Sequence, residues 1–119
     1  MATAKPRTSR QKALLAASVL AGRKAQRPVI LDLRKLTIIA DYFVICHGTS
    51  DVHVRALAEH LDEEMAARGL RRVSAQGLQE GHWVLLDLGD VIVHVFGEFE
   101  RGFYDLERLW GDAPTIEVP

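Results

Sequence analysis

The sequence predicts an α/β protein built as one compact mixed sheet flanked by helices. Three observations carry that expectation. Short runs rich in β-branched, aliphatic and aromatic residues, VILDL (29–33), DYFVIC (41–46), HWVLLDL (82–88) and VIVHVF (91–96), read as strands. The stretch after Ser50 repeats apolar residues at steps of three and four, the mark of a helix buried along one side. At 119 residues, 48% hydrophobic and 26% charged, the chain suits one folded domain with a real core rather than a disordered segment or two independent units.

The elements follow in order. Residues 1–12 form a loose basic leader, residues 13–112 the folded domain and residues 113–119 a tail. KALLAASVLAGRKAQ carries Leu14, Leu15, Ser18, Val19 and Gly22 at near-helical spacing, so a short amphipathic helix is expected to end between Gly22 and Arg27, before Pro28. The first two strands come next, with RKLTIIA between them. Gly48-Thr49-Ser50 breaks the second strand, and either hydroxyl can cap the following helix. Its buried face is Val54, Leu57, Ala58, Leu61 and Met65, and Gly69 supplies a left-handed stop.

LRRVSAQ is a candidate exposed strand, and Leu88-Gly89-Asp90 joins the two clearest strands as a hairpin. Strict alternation puts Val84, Leu86 and Leu88 on one side and Trp83, Leu85 and Asp87 on the other. Val91, Val93 and Val95 likewise oppose Ile92, His94 and Phe96. Both faces are largely apolar, so the ribbon is central, or is covered by helices on one side and a partner on the other. FYDLERLW places Phe103, Leu106, Leu109 and Trp110 at helical intervals, with Phe103, Leu106 and Leu109 favoured for the core.

The net charge of -1 conceals an asymmetry. Lys5, Arg7, Arg10, Lys12, Arg23, Lys24 and Arg27 meet no acid before residue 28, whereas the remainder is acidic in excess. Such a body favours a basic protein surface over a general nucleic-acid grip, while the leader serves either as a solvated terminus or as a contact to RNA phosphates. Lone Cys46, inside YFVIC, reads as a core thiol. No apolar run reaches the length of a bilayer span and no secretory hydrophobic segment follows the basic start, so a cytoplasmic address is expected.

Chemistry is harder to find. Asp87, Asp90 and His94 do not have a recognised metal spacing, and Glu98 with Glu100 would share a face only if the chain stayed extended. Ser50 and His53 suit capping better than a hydrolytic triad. No phosphate-cradling loop, dinucleotide fingerprint or zinc cluster is present, so no cofactor is expected. His94 between two valines reads as a packed, hydrogen-bonded residue. Trp83 and Phe96, surrounded by Asp87, Asp90 and Glu98, suit an interface with an apolar centre and an acidic rim.

Asp41-Tyr42-Phe43-Val44-Ile45-Cys46-His47-Gly48-Thr49-Ser50, the helix from His53, the whole of residues 83–96, Arg101, and residues 103–110 closely resemble the ribosomal silencing factor family, also called the iojap family. The resemblance spans roughly residues 10–113. It implies an α/β fold similar in topology to nucleotidyltransferases but without a catalytic motif, since Gly48-Thr49-Ser50 is followed by no Asp-x-Asp pair. It also implies docking on the large ribosomal subunit through protein uL14, steric exclusion of the small subunit when nutrients are scarce, and a homodimer off the ribosome. The residues expected at the partner-binding face are Trp83, Leu85, Asp87, Asp90, His94, Phe96, Glu98, Arg101 and Tyr104. A metal-dependent nucleotidyltransferase-like enzyme, using Asp87, Asp90 and either His94 or Glu98 and Glu100, is the alternative. Gln76, where the family is often acidic, and Gly102 depart from the family pattern.

Overall fold

The computed structural model describes residues 6–118. Its elements in chain order are α1 (Ser9–Ala21), β1 (Gln26–Asp32), β2 (Tyr42–Gly48), α2 (Asp51–Ala67), β3 (Ser74–Gln76), β4 (Trp83–Asp87), β5 (Val91–Gly97), α3 (Glu98–Tyr104), α4 (Leu106–Leu109) and β6 (Thr115–Ile116). The strands form one six-stranded sheet ordered β3-β4-β5-β2-β1-β6. Only the central β2–β5 pair is parallel, and every other pairing is antiparallel. That parallel pair requires a crossover, which α2 supplies.

Two cores lie on opposite faces. On one, α1 contributes Ala13, Ala16, Ala17 and Leu20, and α2 contributes Val54, Leu57, Ala58, Leu61 and Met65. They close over Ile30, Tyr42, Val44, Cys46, Val84, Leu86, Val91, Val93 and Val95. The small alanines let α1 lie close to the sheet, and the α2 residues are those chosen by helical spacing. The second core is thinner: Leu31, Leu33, Ala40, Phe43, Ile45, Ile92, Phe96 and Ala113, with half-buried Trp83, Leu85, Leu106 and Trp110 at its margin. The alternation expected for the hairpin is therefore the alternation observed.

Local signals explain most boundaries. Ser50 Oγ accepts the His53 N–H at 3.1 Å, capping α2, and Gly69 follows its end at φ 78°. Cys46 is fully buried, and burial pushes its thiol up to about 12.

Five expectations need correction. The face that α1 buries is not the expected stripe of Leu14, Leu15, Ser18, Val19 and Gly22: Ala13, Ala16, Ala17 and Leu20 meet the sheet, Leu14, Leu15 and Val19 are half-buried, and Ser18 and Gly22 are exposed. The leader is not loose to residue 12: α1 begins at Ser9, because Thr8 Oγ1 accepts the Gln11 N–H at 3.1 Å. The exposed strand narrows to Ser74–Gln76. The end of the chain does not simply trail off, since Thr115–Ile116 pairs with β1 and buries Ala113. The last helix is two short ones. Asp105 at φ 48° breaks the axis, so Phe103 and Leu109 turn outward, 69% and 72% exposed, instead of entering the core.

Candidate functional site

β4 and β5 present their outward residues in register: Trp83 opposite Phe96, Leu85 opposite His94, Asp87 opposite Ile92. β4 lies near the sheet edge, beyond most of the second core, so Trp83, Leu85 and Asp87 remain half-buried. Tyr104, at the end of α3, lies against Trp83 with ring centroids 4.6 Å apart, and Trp83 lies against Phe96 at 4.9 Å. From Tyr104 the aromatic surface continues outward to Phe103 at 5.2 Å and from there to Phe99 at 5.7 Å. Phe99 is 73% exposed. The result is an aromatic strip, anchored in the core at Phe96 and open to solvent at Phe99, Phe103 and Tyr104.

Beneath it the polar atoms are fixed. Trp83 donates its indole N–H to His94 Nδ1 at 3.1 Å, so the other ring nitrogen of His94 carries its proton. His94 Nε2 is buried without a partner, and desolvation lowers the imidazole to about 4. It is neutral at physiological pH and enclosed, a packing element for Trp83 and for Phe43, whose ring lies 4.5 Å away.

Arg101 is buried as well. Its guanidinium donates to the Gln26 carbonyl at 3.1 Å, His47 Nδ1 at 3.0 Å and Glu107 at 2.8 Å, tying α3 to β1, β2 and α4. Desolvation first, then the Arg101 charge, lowers the His47 pKa, which keeps its ring a hydrogen-bond acceptor. Gly77 is also fixed: at φ 82°, any Cβ would strike the Trp83 carbonyl, so the approach of residue 77 to β4 demands glycine.

The nine expected interface residues therefore separate. Trp83, Leu85 and Tyr104 stand together on the open face, with Asp87 at one end and exposed Glu98 on the first turn of α3. Phe96, His94 and Arg101 support that face from below and, being buried, offer a partner little area. Asp90 is elsewhere in purpose: it pairs with Lys12 at 2.7 Å and fastens α1 to the hairpin turn.

The enzyme alternative loses its geometry in the same way. Asp87 accepts the Gly89 N–H at 2.8 Å, Asp90 is committed to Lys12, and His94 is enclosed. Glu98 and Glu100 lie on a helix, not a strand, so residues two apart point in different directions. Among the described residues no three His, Cys, Asp or Glu side chains are placed to hold a metal ion.

Sequence reasoning missed Phe99, and it missed exposed Leu36, Ile38 and Ile39 in the loop between β1 and β2. Phe99 and Phe103 are four apart, a helical pair that becomes readable once Glu98 and Glu100 are taken as the acidic first turn of a helix. The loop isoleucines follow no period that would have marked them.

Comparison with known proteins agrees with this architecture. A family described as "Ribosomal silencing factor during starvation" matches residues 6–119. The ribosomal silencing factor RsfS of Halalkalibacterium halodurans is 44% identical over 87% of this chain and 89% of its own length. That of Bacillus subtilis is 43% identical over 91% and 93%. The chloroplastic protein Iojap of Zea mays is 31% identical over 76% of this chain and 39% of its own. A crystal structure of a Bacillus halodurans protein superposes with a TM-score of 0.82 at 37% identity, covering 92% of this chain and all of that one. One from Chromobacterium violaceum gives 0.83 at 35%, covering 87% and 88%. The chain belongs to the ribosomal silencing factor family, and with it to the ribosome-associated regulators of translation.

Proposed function

We propose that the protein docks on the large ribosomal subunit through protein uL14, using the face built by β4 and α3. Bound there it occupies the surface the small subunit must approach, and translation is repressed under nutrient limitation. No bond is broken, because joining is reduced in proportion to the bound fraction. The observation that supports this reading most is the strip Phe99-Phe103-Tyr104 standing exposed on a rigid bed of Trp83 and Phe96. Aromatic groups that are already ordered lose little entropy on binding, and Glu98, Asp87 and Asp105 around them suit a basic protein.

The remaining parts of the reading are a cytoplasmic location, a homodimer when free, and peripheral rRNA contacts by Lys5, Arg7 and Arg10 of the leader. Lys12 is excluded from that last role by its bond to Asp90. Among the described residues no helix is long and apolar enough to cross a membrane.

The test is a subunit-joining assay with purified subunits. Wild type is expected to suppress joining at concentrations where it is bound, and a Phe103→Ser/Tyr104→Ser variant to require at least ~30-fold more protein, the scale of losing a hot spot worth about 2 kcal/mol. Undiminished joining on subunits saturated with wild type would end the steric reading, and equal potency of the variant would move the docking face elsewhere.

A further inference from the structure

The seven cations of the N-terminal segment do not share one fate in the fold. Lys12 is neutralised by Asp90, but Arg23, Lys24 and Arg27 gather at the turn from α1 into β1, all exposed and none in an ion pair with a carboxylate of the described residues. Their backbone is unusual. Lys24 at φ 67° and Arg27 at φ 47° are two of only three non-glycine residues with positive φ among the described residues. Glycine or asparagine adopts that conformation at less cost, so long cationic side chains occupy positions that folding alone would give to something smaller.

The turn is also held firmly. His53 accepts the Thr49 N–H on Nδ1 at 2.9 Å and therefore donates from Nε2 to the Arg23 carbonyl at 3.1 Å. Gln26 donates to the Lys24 carbonyl at 2.8 Å, and the Ala25 N–H donates to the Leu20 carbonyl at 3.1 Å. At the Arg27 side the register of β1 against β2 shifts. Arg27 then borders the cavity it shares with Glu98 and Arg101, which links the basic turn to α3.

We propose that Arg23, Lys24 and Arg27 form a second contact surface, one that grips the RNA phosphate backbone while the α3 face engages protein. Three charges spread along an exposed turn, with no aromatic ring among them on which a base would stack, match phosphates rather than base edges. Acidic Glu98 beside Arg27, and Glu64, which lies within the field of Arg23, bound the patch and confine it to the turn.

This inference rests on the ribosome-docking reading, and its test separates the two. Binding to purified large subunits is measured as a function of KCl for wild type, for Arg23→Gln/Lys24→Asn/Arg27→Asn, and for Phe103→Ser/Tyr104→Ser. Asparagine suits the left-handed positions, so the triple variant is expected to melt no lower than wild type. Its plot of log affinity against log salt should be shallower by about 2 to 3, with affinity on the order of 10-fold weaker near physiological salt. Its affinity for isolated uL14 should be unchanged. An unaltered salt slope, or an equal loss towards isolated uL14, overturns the phosphate assignment. Failure of the docking reading shows separately, as wild-type affinity in the Phe103/Tyr104 variant.

Discussion

The two faces of the sheet are built from adjacent residues of the same strands and are covered to different extents. On the α1/α2 face, Val84, Leu86, Val91, Val93 and Val95 lie under two long helices and nearly every contact is apolar. On the α3/α4 face two short helices cover less: His94 and Phe96 are buried, Trp83 and Leu85 are half-buried, and aromatic surface is left in water. Buried apolar packing is concentrated where coverage is complete, and exposed aromatic surface where coverage is interrupted at Asp105. The difference teaches that an open face need not be loosely made: the exposed rings rest on a bed fixed by Trp83–His94 and by Arg101.

The largest expected effect uses neighbours in one strand. Leu86→Ala, on the closed face and fully buried, should cost about 2–5 kcal/mol in urea unfolding, since a cavity is left under α2. Leu85→Ala, half-buried on the open face, should cost about 1 kcal/mol or less. Equal losses would show that the open face contributes to folding as much as the closed one.

The second prediction concerns pH. His94 titrates at about 4 in the folded protein against an ordinary 6.5, so the unfolded chain binds more protons between those values. Stability should therefore be fully present above pH 6.5 and fall as pH drops towards 4, by roughly 3 kcal/mol in all. The lowered His47 acts in the same direction. A His94→Phe variant should show a flatter pH dependence in chemical denaturation, and an unchanged slope would remove His94 as its source.

The smallest effect is at Lys12. Its bond to Asp90 is partly exposed, and Lys12→Met should cost no more than about 1 kcal/mol, shrinking in high salt. A larger loss by thermal unfolding would make that bond a principal clamp of α1 rather than a minor one.

How much was legible beforehand differs between the same two faces. The closed face was readable where its periods are regular: alternation in the hairpin and steps of three and four in α2 name the buried residues of those elements, whereas α1 buries Ala13, Ala16, Ala17 and Leu20, not the stripe its larger residues suggested. On the open face Trp83, Leu85 and Tyr104 were legible, with Asp87 and Glu98 at its margin. Phe96, His94 and Arg101 carry residue types common at interfaces, yet depth in the fold assigns them to its foundation. Asp90 looked like part of an acidic rim until Lys12, distant in sequence, was brought to 2.7 Å from it.

By itself the sequence determined the class of fold, the faces of its strands, a hydroxyl cap at Thr49 or Ser50, the stop at Gly69 and the family, because each depends on local period or on ordered motifs. Only the tertiary structure decided which polar groups are spent inside the fold and which rings remain outside. Burial and pairing depend on what the rest of the chain places overhead: one left-handed residue, Asp105, turns Phe103 and Leu109 outward, and one buried guanidinium, Arg101, holds the surface that results.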